Sequence, residues 1–329
     1  MVSSYPERIK ERDRWILARR KDVARATPSA RNDLDPYRPY AFLVEDERSE
    51  SGEIVQVATL FLTNRECPWR CLMCDLWRDT LAETVPVGAI PAQIDYALAR
   101  LGPARQIKLY NNGSFFDRQA IPFADYEAVA ARLRGFERVI VECHPALVGD
   151  DCLRFRDLLD GRLEVAMGLE TVHPTVGPRL NKGVSLDRFA FAAERLRENG
   201  VALRVFILVK PPFLDEDEAL YWACRSLDFA FDRGATVAAL IPTRGGNGAL
   251  EALAKLGDFS PPKLATLEAA TAYGVGLGRG RVFGDLWDLE RFSNCPDCFS
   301  ARALRLREMN IRQEVPSRVA CRICGEKSE

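Results

Sequence analysis

Residues 66–77 read ECPWRCLMCDLW and place Cys67, Cys71 and Cys74 on one short loop. Three residues separate the first two cysteines, and two residues separate the second pair. Three thiolates at this spacing can hold three corners of a cubane iron–sulfur cluster, because such clusters are bound through cysteine sulfur. The fourth iron then lacks a protein ligand and leaves an open coordination position, as catalytic metal sites do. From spacing alone, a zinc site completed by a fourth ligand is the alternative.

A run of β-favouring residues at 56–63 (QVATLFLT) leads straight into this loop. Downstream, apolar runs of strand length alternate with segments of helical periodicity. Further strands are predicted at residues 106–110, 138–142, 163–169, 201–209, 235–241 and 281–285. Helices are predicted at residues 90–101, 123–133, 152–159, 187–199, 216–233 and 262–277. The alternation indicates parallel βα units and an α/β fold class, either as a barrel or as an open sheet.

The composition favours an ordinary globular protein. The 329 residues carry a net charge of −1, which gives no overall preference for nucleic acid or a membrane surface. No apolar run approaches the roughly 20 residues that span a bilayer, and the N-terminal stretch lacks the apolar centre of a signal peptide. We therefore expect a cytoplasmic protein with no membrane partner. Thiols stay reduced in that compartment, so the ten cysteines are better explained as metal ligands than as disulfides.

Four more cysteines form two CxxC pairs near the C-terminus, Cys295 with Cys298 and Cys321 with Cys324. The pairs are 22 residues apart, with a predicted helix at 300–309 between them. Paired knuckles of this kind are typical of a tetrahedral zinc site. The alternative is an auxiliary iron–sulfur cluster, and we favour Zn²⁺ because four ligands leave no open position. A metal would supply folding free energy that so short a tail cannot obtain from a core.

Polar residues recur where the predicted strands end. In a parallel βα fold these ends meet at one edge, where ligands bind. The candidate cofactor-binding residues at this edge are Gly113, Ser114, Glu142, Glu170, Lys210 and Arg244. No catalytic acid or base is assigned from the sequence.

Each of these features has a structural alternative. Glu142 and Glu170 could be ordinary ion-pair partners at strand ends. The glycine-rich run at 245–248 is either a turn or a phosphate cradle built from backbone N–H groups. His144 and His173 each precede a proline in a loop, which favours a structural role over general-base catalysis.

The CxxxCxxC segment at the end of a first strand resembles the signature of the radical S-adenosylmethionine (SAM) superfamily. One position departs from the family pattern, since Met73 stands where an aromatic residue is usual. The resemblance implies a [4Fe–4S] cluster on Cys67, Cys71 and Cys74, with SAM chelating the open iron. It also implies reductive cleavage of SAM to a 5′-deoxyadenosyl radical, driven by an external one-electron donor such as flavodoxin or ferredoxin.

The span from about 55 to 285 resembles the branch that contains the tRNA methylthiotransferases and the elongator-type enzyme. Within it, the segments GSFFD, GLET and VKPPF look most like the radical SAM subunits of archaeosine synthases and their bacterial relatives. By that resemblance Gly113 and Ser114 would meet the methionine part of SAM, and Glu170 would face its ribose. Lys210 and the Arg244 loop could meet the SAM carboxylate or the substrate. The implied substrate is a modified nucleobase or tRNA.

Three segments are expected. Residues 1–52 form a basic helix with an extended arm, residues 53–288 a partial (β/α)6 TIM-like barrel, and residues 289–329 a four-cysteine tail. The helix at 6–25 carries eight basic and four acidic residues, so it could either bind RNA or pack as a surface helix. Two other functions remain open: a radical enzyme acting on a small molecule without RNA, and a non-catalytic zinc-binding adaptor.

Overall fold

The computed structural model describes residues 4–26 and 32–324, except for the side chains of residues 24–26. The described strands form a single curled sheet whose order follows the chain. Their bounds are β1 Ala41–Arg48, β2 Ile54–Phe61, β3 Gln106–Tyr110, β4 Arg138–Glu142, β5 Arg162–Glu170, β6 Ala202–Val209, β7 Val237–Pro242 and β8 Arg281–Gly284. β1 pairs antiparallel with β2, and every later neighbour pairs in parallel. The predicted α/β partial barrel is confirmed.

Helices cover the convex side of this sheet and part of its carboxyl edge. Their bounds are α1 Ile9–Ala26, α2 Ala89–Leu98, α3 Tyr126–Arg132, α4 Asp150–Leu158, α5 Val176–Arg179, α6 Leu186–Glu198, α7 Glu216–Asp232, α8 Ala249–Ala254, α9 Leu264–Gly276 and α10 Pro296–Arg312. Short 3₁₀ turns occur at Leu76–Asp79, Phe123–Asp125, Pro145–Leu147 and Leu289–Phe292. No described helix is both long enough and apolar enough to cross a bilayer.

The two faces of each strand have different partners. On β3, Ile107 and Leu109 belong to the apolar core beneath the helices. The alternating residues Lys108 and Tyr110 point to the concave side, where Tyr110 meets the Phe206 ring of β6. Because successive side chains on a strand face opposite ways, one short strand supplies both the core and the lumen.

A buried ion layer fills the lower part of the concave side. Arg204 of β6 contacts Glu47 of β1 at 2.5 Å and Glu164 of β5 at 2.7 Å, and Lys108 of β3 also reaches Glu47 at 2.5 Å. Burial alone would raise the pKa of Glu47, but Arg204 and Lys108 hold it well below its ordinary value. Partners drawn from β1, β3, β5 and β6 tie distant strands together across the curl.

The strand β1 was not predicted from the sequence. Its residues AFLVEDER end in a run of charges, which lacks the apolar pattern of a buried strand. The charges at Glu45 and Glu47 are matched by Lys108, a partner far away in sequence. In contrast, the predicted bounds of β3 and β4 agree with the structure to the residue.

Candidate metal and cofactor site

The cysteine loop lies at the edge of the sheet where the parallel strands end. It has little secondary structure of its own, and hydrogen bonds from residues distant in the sequence hold its backbone in place. The Asn247 side-chain amide donates to the Leu72 carbonyl at 2.7 Å, and that of Asn181 donates to the Arg70 carbonyl at 2.8 Å. The Leu72 N–H donates to the Leu180 carbonyl at 2.9 Å. Neither asparagine was singled out from the sequence.

An aromatic stack fixes the middle of the loop. The Trp69 ring lies on the His144 imidazole with centroids 3.5 Å apart and planes 14° from parallel. Burial lowers the pKa of His144 to about 4, so the ring is neutral at ordinary pH. One imidazole nitrogen of His144 lies 3.1 Å from the Lys182 carbonyl. His144 therefore packs against the cysteine loop.

The three loop thiols lie together at the strand-end edge, and each is half-buried. Burial raises the pKa of Cys67 to about 11 and those of Cys71 and Cys74 to about 12. Each of these pKa values is also raised by another thiol of the set, so the three thiols are near enough to interact electrostatically. Among the described residues, the four C-terminal sulfurs all lie within 4.8 Å of one another, whereas the three loop sulfurs do not. The loop thiols are thus spaced more widely than the C-terminal four.

The end of β3 packs directly on the cysteine loop. A Cβ at Gly113 would lie 3.3 Å from that of Cys67, so glycine permits this close approach. One Glu142 carboxylate oxygen accepts from the backbone N–H groups of Asn111 and Asn112 at 2.8 and 3.0 Å. Burial raises the pKa of Glu142 to about 7. Glu142 therefore shapes the loop that carries Gly113.

Ser114 turns away from the edge and is buried. Its hydroxyl oxygen accepts from the His144 N–H at 3.3 Å and lies 3.6 Å from the Cys143 sulfur. The Ser114 side chain therefore joins the β3 and β4 ends, and only its backbone is available to a ligand at the edge.

Glu170 forms an ion pair with Lys182, a partner that the sequence did not identify. Its carboxylate lies 2.5 Å from the Lys182 ammonium, which is largely buried. Burial alone would lower the pKa of Lys182, but Glu170 beside it holds that pKa above its ordinary value. The Lys182 charge also acts on the thiols of Cys67 and Cys71, lowering both pKa values. The signal that could have found Lys182 is weak, because it sits in an irregular loop before α6.

The backbone around this ion pair is irregular. The register of β5 on β6 shifts between Gly168 and Glu170, and Glu170 has a φ of 65°. A Cβ at Gly168 would overlap both Glu170 Oε1 and Lys182 Nζ. A cavity of about 160 Å³ opens beside the pair and is also lined by His173. The His173 ring nitrogen accepts from the Val176 N–H at 3.2 Å, so it caps α5.

Lys210 and Arg244 both engage neighbouring loops. The Lys210 ammonium donates to the Ser260 hydroxyl at 2.7 Å and pairs with Glu216 at 3.0 Å. The Arg244 guanidinium contacts the Asp285 carboxylate at 2.6 Å and the Trp287 carbonyl at 3.1 Å. Both side chains therefore already have protein partners at the strand ends.

The glycine-rich run at 245–248 adopts a turn that a carboxylate already fills. Glu251 accepts from the backbone N–H groups of Gly246 and Gly248 at 2.5 and 2.6 Å. The Asn247 side-chain oxygen accepts from the Ala249 N–H at 2.9 Å and so caps α8. The geometry favours a turn over a phosphate cradle.

Above the ion layer, the concave face carries aromatic rings that are half-exposed. Phe61, Tyr110 and Phe206 lie in succession, with 6.2 Å between neighbouring ring centroids. Phe283 of β8 shares this face, and the Arg204 guanidinium lies 5.7 Å from its centroid. These side chains form an apolar and partly open surface inside the curl of the sheet.

The C-terminal cysteines form a second and tighter group. All four sulfurs lie within 4.8 Å of one another, and the pairs Cys295–Cys321 and Cys298–Cys324 are each 3.8 Å apart. Thiolates around one tetrahedral ion at about 2.3 Å lie about 3.8 Å apart. The Arg302 guanidinium donates to the Cys298 sulfur at 3.3 Å and also pairs with Glu268 of α9. This group can hold a single metal ion and is linked to the barrel through Arg302.

Comparison with known proteins gives a family match and several relatives. Residues 62–221 match the Radical SAM superfamily. The chain is 28% identical over 292 residues to the archaeosine synthase subunit beta of Methanosarcina acetivorans, covering 80% of this chain and 81% of that protein. It is 24% identical over 246 residues to an uncharacterised protein of Methanocaldococcus jannaschii, covering 70% of this chain and 67% of that protein.

Among solved structures, the chain resembles the archaeal Elp3 of Methanocaldococcus infernus, with a TM-score of 0.50 and 13% identity. The match covers 69% of this chain and 60% of the Elp3 chain, and it supports the fold alone. Residues 62–221 contain the cysteine loop and the ends of β3, β4, β5 and β6. This match to residues 62–221 supports an enzyme of the radical SAM class.

Proposed function

We propose that Cys67, Cys71 and Cys74 bind a [4Fe–4S] cluster whose fourth iron receives SAM. The observation that carries this proposal is the grouping of three half-buried thiols at the strand-end edge, spaced more widely than the C-terminal four. A cubane places each thiolate on a different iron, so it requires the wider spacing. When bound, cluster and SAM would supply one-electron cleavage of SAM to a 5′-deoxyadenosyl radical.

The strand ends beside the thiols supply contacts for SAM. The backbone at Gly113 and Ser114 lies against Cys67 and is shaped by Glu142, which suits it to the methionine part. Glu170 can accept hydrogen bonds from ribose hydroxyls, and Lys182 can attract a carboxylate. Lys210 and Arg244 remain candidates for substrate contact through rearrangement of their present ion pairs.

For the substrate we propose a modified nucleobase, presented by tRNA. The similarity to an archaeosine synthase subunit supports this class. The half-exposed rings of Phe61, Tyr110 and Phe206 also support it, because planar bases stack on aromatic side chains. A small apolar metabolite is the competing substrate.

We further propose that the C-terminal cysteines hold Zn²⁺, because their 3.8 Å sulfur separations suit one tetrahedral ion. Residues 289–329 then form a metal-stabilised tail on a catalytic unit at 53–288, with 1–52 preceding it. The reducing cytoplasm, with flavodoxin or ferredoxin as electron donor, suits both metal groups.

The radical chemistry is tested by anaerobic reconstitution with iron and sulfide. With SAM and dithionite, the protein is expected to release 5′-deoxyadenosine, whereas Cys71→Ala falls to the background rate because a cluster ligand is lost. Cys224→Ala removes a thiol outside both cysteine groups and serves as the control. A colourless protein with zinc bound at the loop would instead support the adaptor.

The SAM contacts are tested with Gly168→Ala. The new methyl group must displace the Glu170–Lys182 pair, so we expect SAM affinity to fall about tenfold, or about 1.4 kcal/mol. Gly102→Ala is the matched control, because nothing lies within 4 Å of its added Cβ. Isothermal titration measures the SAM affinity of both variants. Equal affinities would show that Glu170 and Lys182 do not contribute to SAM binding.

The substrate class is tested with Phe206→Leu. We expect tRNA carrying the modified base to stimulate 5′-deoxyadenosine formation by the native protein, and this variant to lose the stimulation while keeping cleavage without substrate. Phe191→Leu, on an exposed residue of α6, is the control. Stimulation by a low-molecular-mass extract, with none by tRNA, would exclude the RNA substrate.

The zinc assignment is tested by elemental analysis. The native protein is expected to contain one zinc per chain, and Cys298→Ser to lose it and to melt more than about 5 °C lower. Cys152→Ser, which changes a buried thiol outside both groups, should keep the zinc. Replacement of zinc by several iron atoms per chain in anaerobic preparations would favour the auxiliary cluster.

A further inference from the structure

The N-terminal helix α1 lies directly on the cysteine loop. Its buried residues Trp15 and Ile16 share an apolar cluster with Leu72 of the loop and Leu250 of α8. The Arg20 guanidinium lies 3.1 Å from the Glu66 carboxylate, one residue before Cys67. Through these apolar and ionic contacts α1 packs on the barrel edge, so it is not a free arm.

The opposite face of α1 carries a stripe of unneutralised cations. Lys10, Arg14 and Lys21 are exposed and, with Leu17, recur at helical spacing on the outermost side. Within residues 4–26 and 32–324, no ion pair involves these three cations. Flanking arginines do have acidic partners, such as Arg8 with Glu11 at 3.9 Å. The stripe therefore presents its positive charge to solvent.

We propose that this stripe is the docking surface for a small acidic one-electron carrier protein of the flavodoxin or ferredoxin kind. The inference rests on the proposed function, since it presupposes the cluster at the loop. One electron leaves the carrier's cofactor, which is oxidised, and enters the iron–sulfur group, which is reduced by the same electron. No atom or proton is exchanged. The role of α1 is to orient the carrier and bring its cofactor close.

The closeness of the stripe to the cysteine loop favours an electron-carrier protein over RNA as its partner. The stripe is separated from the cysteine loop by roughly one helix diameter, about 10 Å, so a carrier docked there lies close to the thiols. At the centre of the stripe lies Leu17, which is 37% exposed. An apolar centre with a charged rim is typical of a protein interface. The aromatic residues Tyr5 and Trp15 are buried, so this face offers no ring for stacking bases.

The test is the triple variant Lys10→Glu, Arg14→Glu and Lys21→Glu. Glutamate keeps the helix propensity of lysine and arginine, so α1 should remain folded. The control is Arg134→Glu, Arg233→Glu and Arg307→Glu, which makes the same charge change at exposed positions elsewhere. Binding of a purified acidic flavodoxin is measured by isothermal titration at low and high salt, with and without the reconstituted cluster. Cluster reduction by the same flavodoxin is followed by stopped-flow absorbance.

We expect the stripe variant to weaken flavodoxin binding about tenfold or more, to slow reduction correspondingly, and to lose the salt dependence. The control variant and dithionite-driven cleavage of SAM should be unaffected. Unchanged flavodoxin affinity in the stripe variant overturns the docking proposal. So does a loss of tRNA binding with flavodoxin binding retained, which would assign the stripe to RNA. Absence of dithionite-driven cleavage in the native protein would instead refute the proposed function.

Discussion

The site depends on holding an irregular loop in a fixed position. Between β2 and the turn at Leu76–Asp79, the chain has few backbone hydrogen bonds of its own, so its carbonyls need donors from other segments. Asn181 and Asn247 supply two of these donors, and the His144 ring supplies a flat surface for Trp69. The helix α1 then covers the outer side through its contacts with Leu72. Because all these partners come from strand-end loops or the N-terminal helix, the position of the loop depends on the curl of the sheet.

The buried ion layer and the candidate site lie at opposite ends of the curled sheet. Its lower part is filled by the ion layer around Arg204, in which buried charges are matched. Its upper edge departs from ideal geometry, since Asn112, Glu170 and Lys210 at the ends of β3, β5 and β6 all have positive φ. Non-glycine residues in this conformation store strain and cluster at functional sites. The division agrees with the rule that chemistry gathers at the carboxyl ends of parallel strands.

Local patterns in the sequence predicted most of the fold and the two groups of cysteines. The strands β3 and β4 are short apolar runs between turns, and the two cysteine groups are readable from spacing alone. Lys182, Asn181 and Asn247 were missed because their importance arises from partners distant in sequence. The strand β1 was missed because Glu45 and Glu47 are stabilised by cations on other strands. The packing of α1 against Leu72 likewise could not be deduced from its basic composition.

The central claim is that the thiols of the loop bind a cluster with one iron free for SAM. Mössbauer spectroscopy of protein reconstituted with ⁵⁷Fe, recorded with and without SAM, tests it most directly. The account predicts a [4Fe–4S] signal in which one iron changes its isomer shift when SAM is added, because that iron alone gains new nitrogen and oxygen ligands. A cluster whose irons all keep the same parameters, or the absence of any cluster at the loop, would contradict it.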